Sequence, residues 1–292
     1  MYSKIEIITP DVAMAYLERN TNNRPKKEKR IKMYAADMKA GRWQLSPDGI
    51  SFYTDKSLAN GQNRLAAVIL ANTPVEMYVT YDVPKSTTVF DTGATRSPSD
   101  ILHLAGYKQS NLNAATKALR FLFFICSVQN VSPATMGSVI DLYEDKFESA
   151  SRTISNTHAH KKEEFSVSRN RSCHAANFTL LLAGEDEQIV AEFWECIRSG
   201  LYDSPSKSAA IIYRNYLLTE YKSKNHGIAV EEESFAMALM AFNDFKNGVA
   251  RQRRYKVDMP IVNNAKVGQW LYVKNVILSP FTALYNGKAV QA

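Results

Sequence analysis

Apolar and polar positions alternate at the very start of the chain, where Ile5 and Ile7 interleave with Glu6 and Ile8, and this period of two predicts a short strand. Thr9-Pro10-Asp11 then reads as a helix N-cap, a proline at the first helical position and an acid in the first turn, with the helix running through Leu17. Ile31, Tyr34, Ala35 and Met38 fall at i, i+3, i+4 and i+7, so a second helix is expected with Lys32, Asp37 and Lys39 outward, Gly41 closing it and Trp43 as a core anchor. Ile50 and Phe52 alternate as a half-buried strand until Asp55, Lys56 and Ser57 interrupt them. Leu65, Ala66, Val68, Ile69 and Leu70 then resume at helical spacing, which puts the helix start near Asn60 or Gly61. Asn72-Thr73-Pro74 turns the chain into a strand carrying Val75, Met77 and Val79. Val89 to Gly93 reads as a strand end delivering Asp91 into a turn, and Ser97-Pro98-Ser99-Asp100 as a further helix start.

From about Gly106 the signals become long and helical, which sets a boundary between 105 and 112. Phe121, Phe123, Phe124 and Ile125 surround one helix, and helices follow from Ser132-Pro133, over Cys173 to Ala183, Glu185 to Ile197, Ser206 to Lys222 and Glu231 to Val249. A polar insert occupies Ser151 to Arg171. The expected fold class is therefore α+β: a small mixed sheet with flanking helices over 1–105, then an α-helical domain over 106–292.

Composition fits a chain with real cores, at 45% hydrophobic and 11% aromatic residues in 292. The net charge of +7 is mild and favours an anionic partner without demanding one. Three widely spaced cysteines, Cys126, Cys173 and Cys196, do not form a disulfide framework, no apolar run is long enough for a membrane span, and no leader is recognisable; a cytoplasmic protein without a membrane partner is expected. His158, His160, Cys173 and His174 lack the paired spacing of zinc ligands, so no metal site is assigned.

The richest stretch is 49–70. A strand, a polar turn, Asn60-Gly61-Gln62-Asn63-Arg64 and an apolar helix follow one another with almost no spacer. A helix start offers unpaired N–H groups and the positive end of the peptide dipoles, a glycine admits close backbone approach, and arginine carries a donor fork suited to phosphate. The residues Asn60-Gly61-Gln62-Asn63-Arg64-Leu65 resemble the Gly-x-x-Arg box of the ParB/sulfiredoxin superfamily, in the form found in many bacteriophage and prophage proteins. Asn22-Asn23-Arg24-Pro25 and the helix from Met33 to Trp43 resemble the approach to that box, and Phe90-Asp91-Thr92-Gly93, Arg96 and Asp100 its exit; the likeness covers Ile5 to Leu104. Two positions depart from it. Asn63 stands where a His is usual, and Gln62 where sulfiredoxin has its cysteine and ParB commonly a Glu, so sulfiredoxin chemistry is not expected.

The resemblance implies a phosphate or nucleotide site of Asn60, Gly61, Gln62, Asn63 and Arg64, with Arg24 or Arg96 closing over it, and an NTP with Mg2+ or DNA as ligand. It also admits a ParB-like nuclease or phosphoryl-transfer enzyme, for which Asp55, Asp91 and Gln62 are the catalytic candidates. A third reading makes the fold a scaffold of a phage protein that engages a host protein in the bacterial host cytoplasm; a homodimer is compatible with all three. Two basic runs are candidate nucleic-acid contacts: Lys26, Lys27, Lys29 and Arg30 beside the box, and Arg251, Arg253, Arg254 and Lys256 after the last long helix. Each has a plain alternative, a solvated face for the first and favourable dipole placement for the second.

Overall fold

The structure, a computed structural model, describes residues 1–21, 23, 25–85, 97–107, 112–155, 170–221, 227–257, 277–288 and 290. It is mixed α and β, mostly helical, with one four-stranded mixed sheet. The chain divides into two compact units: Met1–Ser97 with Asn130–Ser138 and Ala283–Gln291, and Pro98–Gln129 with Val139–Thr282. The expected boundary lies between 105 and 106; the compact units divide after Ser97, and two later segments, 130–138 and 283–291, belong to the first unit.

In the first unit, β1 (Tyr2–Ile8), β2 (Ile50–Tyr53), β3 (Leu58–Asn60) and β4 (Val75–Val83) lie in the order β1-β4-β2-β3. β1 runs antiparallel to β4, β2 parallel to β4 and β3 antiparallel to β2. β3 was not apparent in the sequence, because three residues are too few to show a period. Helices α1 (Pro10–Glu18), α2 (Glu28–Lys39) and α3 (Gln62–Ala71) pack with the sheet around a core of Ile8, Ile50, Phe52, Leu65, Val68 and Val79. The expected starts and stops appear: Thr9 Oγ1 accepts from Val12 N, and Gly41 adopts a left-handed φ of 69° just beyond α2.

Asp37 corrects the outward face assigned to α2. It is buried, and its Oδ1 accepts from Arg42 Nε at 3.1 Å, Ser132 Oγ at 2.8 Å and Thr135 Oγ1 at 3.2 Å. Arg42 also donates from Nη1 to the Leu284 carbonyl (2.6 Å) and from Nη2 to the Tyr285 carbonyl (3.1 Å). One ion pair therefore gathers both returning segments onto the C-terminal end of α2. Helical period alone could not foresee this, since the matching hydroxyls and carbonyls lie far away in sequence.

A second polar cluster sits on the helix-covered side of β1. Tyr16 and Tyr81 hydroxyls donate to the two oxygens of Glu6 at 2.6 Å each and lie 2.9 Å from one another, and Lys4 approaches Glu6 at 3.1 Å. Burial works to raise the Glu6 pKa, but the hydrogen bonds from Tyr16, Tyr81 and Lys4 outweigh it and hold the carboxyl below its ordinary value.

The second unit is helical: α4 (Pro98–Leu104), α5 (Leu112–Ile125), α6 (Pro133–Leu142, whose first half belongs to the first unit), α7 (Glu144–Ser155), α8 (Arg171–Leu182), α9 (Glu187–Ser199), α10 (Ser208–Tyr216), α11 (Ile228–Lys246) and α12 (Ser279–Tyr285, which belongs to the first unit from Ala283 on). α10 continues as a π turn over Leu217–Tyr221. Buried Asn177 ties three helices, accepting from Trp194 Nε1 (2.8 Å) and Thr153 Oγ1 (2.9 Å) while donating to the Ala150 carbonyl (3.0 Å). The three cysteines are buried thiols, and desolvation pushes the Cys173 thiol up to about 12. Among the described residues, no helix is long and apolar enough to cross a membrane.

Two outcomes follow for stability. Arg42→Ala leaves the buried Asp37 carboxylate without its counter-charge and is expected to cost about 3 kcal/mol in urea unfolding. Because the folded Glu6 pKa lies below its unfolded value, its stabilisation is present above about pH 4.5 and fades as pH falls further. Replacing Tyr16 and Tyr81 by Phe should therefore lower Tm at neutral pH, with the difference from wild type shrinking in acid.

Candidate anion-binding site

The box occupies the turn from β3 into α3. Gly61 is the N-cap of α3 with φ of 107°, a left-handed value that favours glycine, and a Cβ there would stand 3.1 Å from the Ile50 Cα. The turn thus lies directly on β2. Asn60 Oδ1 accepts from Gly61 N at 2.8 Å, and the Gly61 carbonyl takes the first helical bonds from Arg64 N and Leu65 N. The helix therefore begins one residue later than the apolar period indicates.

Two side-chain amides of the box bind the chain that precedes α2. Gln62 is buried and its Oε1 accepts from Asn20 Nδ2 at 3.0 Å; Asn23 Nδ2 in turn donates to Asn20 Oδ1 and to the Leu58 carbonyl, each at 2.7 Å. Asn63 Oδ1 accepts from Lys27 N at 3.0 Å. Lys27 is the N-cap of α2 and makes no side-chain cap of its own; Asn63, from the neighbouring helix, instead accepts the backbone N–H of that N-cap residue, one of the helix-start donors. An amide oxygen always accepts, whereas an imidazole does so only at an unprotonated nitrogen. This gives a structural role to the residue standing where the resemblance would place a His.

The starts of α2 and α3 are consequently one hydrogen bond apart. Both present their positive ends to the same neighbourhood, and no acid lies in the first turn of α3. Lys26, Lys27 and Lys29 are exposed there, Arg30 is half-buried, and Glu28 is the acid in the first turn of α2.

Arg64 is placed differently from expectation. Its Nη1 donates to the Gly49 carbonyl at 3.0 Å and its Nη2 lies 3.8 Å from Asp48, with 14% of the side chain exposed. Gly49 itself fits only without a side chain, because a Cβ would stand 2.0 Å from the Tyr78 carbonyl oxygen. Arg64 thus pins the loop before β2 instead of standing open to a ligand.

Of the catalytic candidates, Asp55 forms a turn in which its Oδ1 accepts from Ser57 N (3.0 Å) and Ser57 Oγ (2.5 Å), and it pairs with Lys85. The Lys85 ammonium and then Ser57 hold its carboxyl far below the usual carboxylate range. Gln62 is committed to Asn20. Asp91, Arg24 and Arg96 lie outside the described residues, as do His158 and His160. Among the described residues no group of three or more His, Cys, Asp or Glu stands in position to hold a metal.

The second basic run folds back on its own unit. Arg251 donates to Asp244 at 2.6 Å with its guanidinium 4.0 Å from the Tyr255 ring centre, and Arg254 pairs with Glu220 and with Glu233 (2.8 Å) beside the Tyr216 ring. The Arg/Tyr texture is accounted for by these internal partners, whose acids lie in α11 and the π turn. Arg253 and Lys256 remain exposed.

Asn20 has no site role in the sequence reading, and Asn23 appears there only in the run that resembles the approach to the box. Apart from that resemblance, their signal is an amide-rich run before the basic segment, which spacing alone does not separate from a solvated loop. Asn63→Ala, which removes the acceptor of the Lys27 amide without disturbing the core, should cost about 1 kcal/mol in chemical unfolding, and Gly61→Ala more, about 1–3 kcal/mol, through its left-handed φ and the approach to Ile50. Comparison with family models, curated proteins and solved structures finds no match to this chain.

Proposed function

We propose that the protein binds a phosphate-bearing ligand, a nucleotide or DNA, at the joined starts of α2 and α3. The observation that carries this reading is the bond from Lys27 N to Asn63 Oδ1, which sets two helix N-termini side by side where Lys26, Lys27 and Lys29 are exposed. Helix starts and lysine ammonium groups both favour an anion, and the exposed Lys26, Lys27 and Lys29 outnumber Glu28, the acid in the first turn of α2. Resemblance of the box to ParB/sulfiredoxin-like proteins of bacteriophage supports the same location and makes an NTP with Mg2+, or DNA, the ligand class. Within this reading Arg64 and Gln62 are positioning residues, and the lysines neutralise the phosphate. A binding role is preferred to a nuclease or phosphoryl-transfer one, because Asp55 is already occupied by Ser57 and Lys85. The scaffold reading, in which a host protein is engaged, predicts no response to phosphate ligands at all.

A thermal-shift panel of CTP, ATP, GTP and short duplexes, with and without magnesium, tests it. A ligand at a hundred times its Kd should add about 2.7 kcal/mol of apparent stability. The double variant Lys26→Gln/Lys29→Gln, both side chains being exposed, should keep its Tm without ligand and lose most of that rise. For DNA, the slope of log K against log salt should fall by about 2. No rise with any ligand, or a rise indifferent to the two lysines, contradicts the proposal.

A further inference from the structure

Among the described residues β1 is an edge strand of the sheet. Its seven residues pair with β4 in one unbroken register, with no proline and no bulge, whereas the opposite edge, β3, has three residues and a register shift in its pairing with β2. Natural edges are ordinarily shortened, bulged, interrupted or charged, because a long regular one templates a further strand; on β1 only the charges Lys4 and Glu6 are present, and they restrict which strand can pair. β1 is also apolar where it is open: Tyr2 is 55% exposed, Ile5 50% and Ile7 63%.

The residue order along β1 selects what pairs with it. Two copies of a strand related by a twofold axis normal to the sheet run antiparallel, and directly opposed residues share a face, so the axis must pass through a residue. Centred on Ile5, the pairing uses the whole of Tyr2–Ile8 and sets Lys4 opposite the second copy's Glu6, Glu6 opposite its Lys4, Ser3 opposite its Ile7 and Ile5 opposite itself. Shifting the axis by one residue places Lys4 against Lys4 or Glu6 against Glu6 and shortens the ladder. The register that is longest is therefore also the only one of the three in which the charges match. Glu6 stays anionic for this purpose, since Tyr16 and Tyr81 donate to it, and Lys4 already lies 3.1 Å from its own Glu6, so the two copies would form an alternating square of four charges.

We infer that β1 is a homodimerisation strand, pairing antiparallel with β1 of a second copy about Ile5 to make one continuous eight-stranded sheet from two four-stranded ones. The partner is this chain itself, because the charge pattern is self-complementary. This is independent of any ligand at the helix starts.

Sedimentation velocity over a concentration series, with an engineered crosslink, tests it. Wild type should sediment as a dimer, and Lys4→Glu, which sets acid against acid in two symmetric pairs, should raise the dimer Kd about tenfold or more. Ile5→Cys should form an intermolecular disulfide on mild oxidation, because directly opposed residues have Cα atoms within disulfide range and the native cysteines are buried. Ser3→Cys alone should not crosslink, but mixed with Ile7→Cys it should. A monomer at every concentration, an Ile5→Cys chain that stays uncrosslinked, or a dimer indifferent to Lys4→Glu each overturns the inference, the last two by assigning dimerisation to another surface.

Discussion

A single side-chain acceptor, Asn63 Oδ1, decides how the first unit presents its charge. By accepting the N-cap amide of α2 from the first turn of α3 it joins two helix starts that the sequence separates by more than thirty positions. What lies beneath that bond is set by close backbone approach. Gly61 rests against Ile50, and Gly49 against Tyr78, so the turn into α3 and the loop into β2 are both held to the sheet by the lack of a side chain. Arg64 then locks the second of these to the first through the Gly49 carbonyl. The helix starts are presented on a platform of strands, which is the rigid support an anion site needs.

Groups that look like surface charge in the sequence do much of the internal bracing. Asp37 on the nominally outer face of α2 receives Arg42, Ser132 and Thr135, and through Arg42 it holds the segment that contains Leu284 and Tyr285. Arg251 and Arg254, for which the sequence leaves nucleic-acid contact and helix-end placement both open, pair with Asp244, Glu220 and Glu233. Charge alone thus overstates the anion-binding surface. The lysines before and in the first turn of α2 differ from these arginines in being exposed at a place where helix dipoles already favour an anion.

Local signals were legible and long-range ones were not. The caps at Thr9 and Gly41, the strands around Ile50 and Val75, the box helix and the helical second half follow from spacing and turn chemistry that act within a few residues. The cut at Ser97, the return of 130–138 and 283–291, and the burial of Asp37 depend on partners dozens or hundreds of positions away, which no periodicity encodes. At the box, Gly61 and the helix start could be read directly. The inward commitment of Gln62 and Arg64 could not, because their acceptor and donor partners, the Gly49 carbonyl and the Asn20 amide, carry no distinguishing pattern.

Backbone amide NMR during a nucleotide or duplex titration tests the central claim most directly. Binding at the joined helix starts predicts saturable shifts concentrated on the amides of Gln62, Asn63 and Lys27 to Lys29, with the sheet amides of β1 and β4 nearly unmoved. Saturable shifts that leave those five amides in place, or no shifts with any phosphate ligand, would contradict it.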